Sequence, residues 1–373
     1  MVHWRQAGGF MDKIDIQERL KRIDELLSSE KFELIHELLS ELHAADIADV
    51  LSHFSKSEHR SQIFHQIDKD RWGEVLIQME QPILEEILEE LHIPEISEII
   101  NKLDSDDATD LLSEIEDEGK VEEVLEYIDE ESKEEVLELL NYPEESAGGI
   151  MGKEYVSVEE TQSINSIIDV IREAKDEISE IYNVFVTDSR NHLLGRIRLK
   201  DLVLAKESMT ASDVMLEENY FVEASLDQEE VARIFEKYDL VEVPVVNERH
   251  QLVGHIMIDD VIDVIEDEAT EDISKLSGTR DEEIKEQSPY KIVRARIPWL
   301  IVALFAGLSS AFIMKEYEGI LTKVVVLAYF VPVVIAMGGN VGVQSSSIVI
   351  RGLATGEINF FDIRHRLFKE LIV

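Results

Sequence analysis

Residues 251–262 read QLVGHIMIDDVI, and residues 192–203 read HLLGRIRLKDLV. The two stretches share the order leucine, apolar, glycine, isoleucine and aspartate, and the later copy begins 59 residues after the earlier one. An apolar strand pattern precedes each copy, over 182–187 and 242–246, and an amphipathic helical pattern precedes each strand, over 164–174 and 228–238. Each copy therefore predicts helix, strand, turn, strand and helix. The glycines, Gly195 and Gly254, follow polar turns, which suits a bulge or a close backbone approach.

Repeated modules of this kind resemble CBS domains. The resemblance implies an α+β pair that packs in tandem. It also implies ATP as a candidate ligand, although many such pairs bind nothing.

The region before the repeats, residues 15–142, has a helical pattern almost throughout, with short breaks near Pro82, Pro94 and Gly119. Residues 39–49 match residues 88–98, so that His43 and His92 share a repeat position. Repeated short helices with polar outer faces predict a small all-α superhelical stack. We expect both imidazoles to satisfy backbone groups at helix joints.

The charge of the chain restricts its partners. The 373 residues include 80 acidic and 36 basic side chains, a formal net charge of −44. Nucleic acid is excluded as a partner because phosphate contacts require a basic surface. The absence of cysteine excludes disulfides, iron–sulfur clusters and thiolate zinc sites. No phosphate loop, zinc-protease motif or activated nucleophile is found, so we expect no enzymatic activity.

The most informative acidic segment is 259–272, where Asp260, Asp263, Asp267 and Glu271 share one helical face. Its like-charge pairs four residues apart each cost a helix roughly 0.2–0.5 kcal/mol, which predicts that cations lie nearby. Carboxylates without thiols favour hard cations, Mg²⁺ or Ca²⁺. A second acidic run surrounds Asp106 and Asp110; Ser105 or Asp106 can cap a helix there, or the two aspartates can share a cation with a facing domain.

The C-terminal part predicts membrane helices. Residues 298–314 and 324–350 are apolar and uncharged, and basic residues lie before the first stretch and after the second. The positive-inside rule then places the N-terminal region and the final segment in the cytoplasm. The second stretch contains Pro332 and a glycine-rich run that weaken a helix, so its amides either pack against a neighbouring helix or line a permeation path. Residues 360–373 turn apolar again, as though a third span began, and the membrane domain looks truncated.

The order of these motifs resembles the MgtE family of bacterial magnesium channels. The resemblance is carried by the acidic helical domain, residues 142–151 (YPEESAGGIM), the CBS-like pair, the acidic helix and residues 338–345 (GGNVGVQS). It implies a homodimer in the cell (inner) membrane, multi-pass, that takes up Mg²⁺ and closes when cytoplasmic Mg²⁺ binds between the helical domain, the CBS pair and a plug helix. Mg²⁺ is thus both transported and regulatory. The residues matching sensor ligands are Asp106, Asp110, Asp239, Asp260, Asp263, Glu268 and Glu271, and the pore-lining candidates are Gly338, Gly339, Asn340 and Gln344.

Two departures from the family pattern matter. The family's later membrane helices carry a pore carboxylate that no position here matches, and Val343 replaces an asparagine common in the family's glycine-rich motif. We therefore expect that this chain does not conduct alone. The alternatives are a CBS-regulated, nucleotide-gated transporter of another ion, and an acidic scaffold merely anchored by two helices.

The expected organisation has six parts. They are a disordered lead-in (1–14), the helical domain (15–142), the first CBS repeat (143–205), the second CBS repeat (206–265), the plug helix (266–296) and an incomplete membrane domain (297–373).

Overall fold

The computed structural model describes residues 13–115, 117–176, 178, 180–217, 220–277 and 289–354. The chain forms two compact units, residues 1–264 and 265–373. The expectations for the lead-in up to residue 12, for 278–288 of the plug helix and for a third span over 360–373 lie outside the described residues.

The first unit begins with a stack of short helices. Pro82 and Pro94 lie in the first turns of two of them, where a missing N–H costs no hydrogen bond. Each helix buries one apolar face in a shared core that runs from Ile23 to Val136. The helices are α1 (Lys13–Ser28), α2 (Phe32–Ser40), α3 (Ala44–Ser52), α4 (Ser57–Phe64), a 3-10 turn (Lys69–Arg71), α5 (Trp72–Leu76), α6 (Gln81–Glu90), α7 (Ile93–Ile100), α8 (Ser105–Ser113), α9 (Glu118–Tyr127) and α10 (Glu130–Leu139).

The two repeated histidines lie at helix joints, as expected. His43 is the N-cap of α3, and its Nδ1 accepts a hydrogen bond from the backbone N of Ala45 at 3.4 Å. His92 is the N-cap of α7, where the Glu95 carboxylate accepts from the His92 backbone N at 3.3 Å. The all-α prediction for this region is confirmed.

The two CBS repeats follow. The first comprises β1 (Ser157–Glu159), α11 (Ile164–Glu173), a 3-10 turn (Ala174–Asp176), β2 (Asn183–Thr187), β3 (Leu193–Arg198), α12 (Leu199–Leu204), α13 (Ala211–Val214) and β4 (Leu216–Glu217). The second comprises β5 (Val222–Glu223), α14 (Gln228–Tyr238), β6 (Glu242–Val246), β7 (Leu252–Met257) and the start of α15 (Ile258–Ser277). The sheet orders are β1-β2-β3-β4 and β5-β6-β7, with the first pair of strands parallel and the rest antiparallel in each.

The repeat glycines have the role expected from the sequence. In each copy the register shifts next to the residue that faces the glycine, at Val186 opposite Gly195 and at Val245 opposite Gly254. A Cβ at Gly195 would lie 2.4 Å from the Leu216 carbonyl oxygen, so the backbones approach too closely for a side chain.

The two repeats pack through their strand turns. The backbone N of Leu193 donates to His250 O at 3.2 Å, and that of Leu252 donates to Asn191 O at 2.9 Å. The side chains of Phe185, Leu193, Val246 and Leu252 form a small core beside this exchange. The predicted tandem packing is confirmed.

The second unit contains the end of α15, then α16 (Pro289–Glu316), α17 (Glu318–Leu321) and α18 (Val325–Ala354). Within the described residues one helical segment, Arg296–Glu316, is long and apolar enough to cross a membrane by length and composition. The second predicted span falls in α18 and stays a prediction. The residues that weaken a helix do not interrupt it: α18 continues through Pro332, Gly338 and Gly339, because a proline removes only one hydrogen bond of a long helix.

Candidate functional site

The acidic helix α8 is held at its N-terminus by a distant carboxylate. Its N-cap, Asp104, makes no side-chain cap hydrogen bond. Instead Glu154 Oε1 accepts from the backbone N of Ser105 at 2.8 Å, and Glu154 Oε2 accepts from Ser105 Oγ at 3.0 Å. The expectation that Ser105 or Asp106 supplies the cap is therefore wrong, because Glu154 accepts from the first backbone N–H of α8. Asp106 Oδ1 accepts from the backbone N of its neighbour Asp107 at 3.0 Å.

Gly152 lies where the polar side chains of Glu154, Asp106 and His255 converge. Its backbone forms a two-way bridge with His255, with N···O distances of 2.9 and 3.0 Å. A Cβ on Gly152 would lie 3.0 Å from Glu154 Oε2, 3.4 Å from Asp106 Oδ2 and 3.5 Å from His255 Nε2. Any side chain larger than hydrogen would therefore occupy the space between these polar atoms.

Asp260 faces the same place from the start of α15. Its Oδ2 accepts from the backbone N of Met257 at 3.1 Å, which caps the first turn of that helix. Burial raises the pKa of Asp260 to about 7, with Asp259 adding to the effect. Burial also raises the pKa of Asp106 well above its usual range, and the charge of Asp260 is the next largest cause. Two carboxylates on different elements thus oppose each other's ionisation.

The remaining aspartates of α8 extend this repulsion. Burial, followed by Asp104 and Asp110, raises the pKa of Asp107 to about 7. Burial, followed by Glu144 and Glu114, raises the pKa of Asp110 to about 6, although its side chain stands at the exposed edge of the cluster. A dense set of carboxylates at this surface favours either bound protons or a bound cation at neutral pH.

The imidazole of His255, beside these carboxylates, is held by a hydrogen bond to its Nδ1. His255 Nδ1 donates to Glu242 Oε1 at 2.8 Å, and Asn183 Nδ2 donates to Glu242 Oε2 at 2.6 Å. All three side chains are buried, and Asn183 and Glu242 occupy equivalent positions of the two repeats. The strands β2 and β6 therefore set the orientation of His255, whose Nε2 lies on the side of Gly152.

The structure brings together some of the sequence-predicted ligands. Asp106 and Asp260 interact directly through their charges, and Asp110 lies one turn further along α8. Asp239 is the left-handed C-cap of α14, with φ of 50°, and is exposed. Asp263 lies exposed on α15 within the first unit, whereas Glu268 and Glu271 belong to the second unit. The pore-lining candidates, Gly338, Gly339, Asn340 and Gln344, all lie on α18.

Within the part of the chain that the structure describes, no three acidic, histidine or cysteine side chains are arranged to hold a metal ion directly. The carboxylates can still bind a hydrated ion, because Mg²⁺ gives up its waters reluctantly and is commonly held by one or two carboxylates. Asp106 and Asp260 are the residues that would hold such an ion, because a cation would offset their mutual repulsion.

Sequence reasoning missed Gly152, Lys153, Glu154, Glu135 and His255. The first three follow the motif at 142–151 directly, and a lysine and glutamate after a glycine turn were the available signal. Glu135 lies on α10, and burial, then Glu154, raises its pKa to about 7. His255 was concealed because it lies inside a strand of the repeat.

Three family models match the chain. The MgtE intracellular N domain matches residues 42–145, the CBS domain matches 147–208 and 211–267, and the model named MgtE, a divalent cation transporter, matches 331–373.

Two proteins named magnesium transporter MgtE are similar to this chain over more than half of its length. The magnesium transporter MgtE of Thermus thermophilus is 37% identical over 235 residues, 62% of this chain and 52% of that protein. The magnesium transporter MgtE of Bacillus subtilis is 36% identical over 232 residues, 62% of this chain and 51% of that protein. The chain thus spans about half the length of these relatives.

Two solved structures share the fold. One, the cytosolic domain of the Mg²⁺ channel MgtE in complex with ATP, is 31% identical with a TM-score of 0.62, covering 66% of this chain and 99% of that one. The other, the soluble part of a magnesium transporter, is 28% identical with a TM-score of 0.59, covering 68% of this chain and 99% of that one. On the matched domains, their order and these relatives, the chain belongs to the MgtE family.

Proposed function

We propose that this chain forms the cytoplasmic sensor and the first membrane helices of a magnesium channel. In this proposal Mg²⁺ enters the cell through the membrane domain of a homodimer. Cytoplasmic Mg²⁺ binds between the acidic helical domain, the CBS pair and the plug helix and closes the pore. The protein lies in the inner membrane as a multi-pass protein, with its N-terminal domains in the cytoplasm.

The observation that carries the proposal is the electrostatic repulsion between the carboxylates of Asp106 on α8 and Asp260 on α15. One carboxylate belongs to the helical domain and the other to the helix that follows the last strand of the second CBS repeat. A cation between them stabilises their closed arrangement, and its loss lets them repel. Because α15 continues to Ser277 without interruption, a change at its first turn is transmitted along a single helix.

The other candidate ligands fit the same scheme. Asp110 and Asp263 lie on the same two helices as the central pair, and Glu268 and Glu271 follow on α15. Hydrated Mg²⁺ held by few carboxylates binds weakly, which suits a sensor of an abundant cellular ion. Asp239 is the weakest member of the set, since its backbone already has a structural role at the end of α14.

ATP is proposed as a second ligand, of the CBS pair. The support is the relative whose cytosolic domain was solved in complex with ATP, at 31% identity. Equilibrium dialysis with radiolabelled ATP tests this, and an ATP affinity no different from that of a CBS-deleted chain would contradict it.

The central test is limited proteolysis of the purified chain in detergent during titrations with Mg²⁺, Ca²⁺ and Na⁺. We expect divalent ions at millimolar concentration to protect the first unit, and Asp106→Asn to reduce this protection. Asp24→Asn is the matched control, because Asp24 lies on α1 and forms no ion pair with any residue that the structure describes. Equal protection by NaCl at matched ionic strength would show charge screening without a specific site.

A further inference from the structure

Lys153 links the helical domain to the second CBS repeat. Its Nζ lies 2.7 Å from Glu138 Oε1 on α10 and donates to the Val253 carbonyl oxygen on β7 at 2.7 Å. The lysine side chain is only 11% exposed. A lysine is seldom buried to this degree unless its charge is paired, and here one partner comes from each domain.

The backbone beside this lysine is also fixed to both domains. Gly152 pairs with His255 on β7, while the backbone N of Lys153 donates to Ser105 Oγ at 2.9 Å. The next residue, Glu154, caps α8 through Ser105. Three consecutive residues therefore hold α8 and α10 against β7.

Acidic groups surround the ammonium. Glu135 lies one turn before Glu138 on α10, and burial, then Glu154 and Glu131, raises its pKa while Lys153 lowers it. Without the lysine, Glu138 and the Val253 carbonyl oxygen would lose the positive charge that lies between them, and Glu135 would lose the charge that lowers its pKa. Removing the counter-charge of partly buried carboxylates leaves their charge uncompensated, which is destabilising.

We propose that Lys153 is a positioning residue of the cation-sensing interface. Its ammonium is a permanent counter-ion that keeps α10 on β7 when divalent cations are absent. By holding the two domains together at this point, it lowers the concentration of divalent cation needed to bring Asp106 and Asp260 together. The inference rests on the proposed function and adds to it a cation that belongs to the chain itself.

The physical reason is that a tethered charge needs no binding from solution. With Lys153 in place, the helical domain stays next to the CBS pair, and a Mg²⁺ ion has only to overcome the repulsion around Asp106. Without it, α10 and β7 lose one of the contacts that hold them, and the ion must also offset the uncompensated charge of the carboxylates on α10. The required concentration therefore rises, because the binding-competent arrangement is less populated.

The test is a Mg²⁺ titration of the full chain carrying Lys153→Gln, followed by protease protection. We expect the midpoint of protection to rise about tenfold, equivalent to about 1.4 kcal/mol. Lys153→Arg keeps the charge and should leave the midpoint within about twofold of the parent. Lys56→Gln is the matched control, because Lys56 is exposed and makes no ion pair with the described residues.

Each outcome separates the possibilities. A Lys153→Gln midpoint equal to that of the parent overturns the inference. The inference is also overturned if Lys153→Gln lowers the Tm equally with and without Mg²⁺ and leaves the midpoint unchanged, since the lysine would then have only a structural role. If the parent shows no Mg²⁺ protection at all, the proposed function fails. The link made by Lys153 is then tested by the rate of cleavage between α10 and β1 in chelator. Faster cleavage of Lys153→Gln than of Lys153→Arg supports the link, and equal rates overturn it.

Discussion

Glu154 caps a helix that begins 49 residues before it, with both carboxylate oxygens engaged by Ser105. The contact places a fixed negative charge at the positive end of α8, where helix dipole and hydrogen bonds both favour it. It also defines where Asp106 and Asp107 stand relative to the CBS repeats. The carboxylates that repel one another thus follow directly on the Ser105–Glu154 contact.

The first prediction concerns this cap. Ser105→Ala removes the hydroxyl that donates to Glu154 and accepts from Lys153. We expect the free energy of unfolding to fall by about 1–2 kcal/mol, as for the loss of a capping side chain. Urea denaturation followed by circular dichroism measures it. Ser40→Ala is the control, because among the described residues its exposed hydroxyl bonds only to Glu37 O, within its own helix. A loss as large as that of Ser105→Ala would contradict the prediction.

The second prediction is a double-mutant cycle on the opposed pair. Asp106→Asn and Asp260→Asn should each raise the Tm of the chelator-treated protein, because each removes one partner of a repulsive interaction. Once one charge is gone, neutralising the other gains less, so the double variant should stabilise by less than the sum, with a coupling of about 0.5–1.5 kcal/mol. Strictly additive changes in the free energy of unfolding would show that the two side chains do not interact.

Much of this fold follows from the sequence, whereas the interface does not. The 59-residue repeat predicted the strands and the close approach at Gly195 because both depend on residues near in sequence. The Glu154–Ser105 contact joins segments that are distant in sequence, and a glutamate or a serine alone does not indicate which residue it will contact. Asp106 and Asp260 were found through family resemblance together with charge, and only the structure shows that one opposes the other. Pattern alone left the continuity of α18 open, because proline and glycine lower helix propensity by amounts that a long helix tolerates.

The third prediction is the pH dependence of the metal-free protein. The folded-state pKa values of Asp107 and Asp260 are raised to about 7, mainly by burial. Between about pH 4 and pH 7 the folded state therefore holds protons that the unfolded state has lost, and stability falls as the pH rises through this window. One pKa unit corresponds to about 1.4 kcal/mol, and partial exposure screens these carboxyls, so we expect a total loss of about 2 kcal/mol.

Thermal unfolding in chelator at half-unit steps from about pH 4.5 to about pH 8 measures this effect. Saturating Mg²⁺ should flatten the profile above about pH 6, because a bound cation stabilises the ionised carboxylates in the folded state. A profile that rises with pH in chelator would have the opposite sign and would contradict the assigned pKa directions.

The fourth prediction uses the space at Gly152. Gly152→Ala places a methyl group 3.0 Å from Glu154 Oε2 and 3.4 Å from Asp106 Oδ2, so these carboxylates must shift by a few tenths of an ångström. We expect a modest loss of stability, about 1 kcal/mol, because overpacking displaces side chains that are otherwise well placed. The larger effect should be on Mg²⁺, whose protection midpoint should rise several-fold as Asp106 moves. Gly119→Ala at the start of α9 is the control, since its nearest contact is a side-chain oxygen of Asp117 at 3.2 Å, away from the interface. Isothermal titration calorimetry measures the Mg²⁺ affinity of both variants. Equal affinities for Gly152→Ala and Gly119→Ala would show that the space at Gly152 does not affect Mg²⁺ binding.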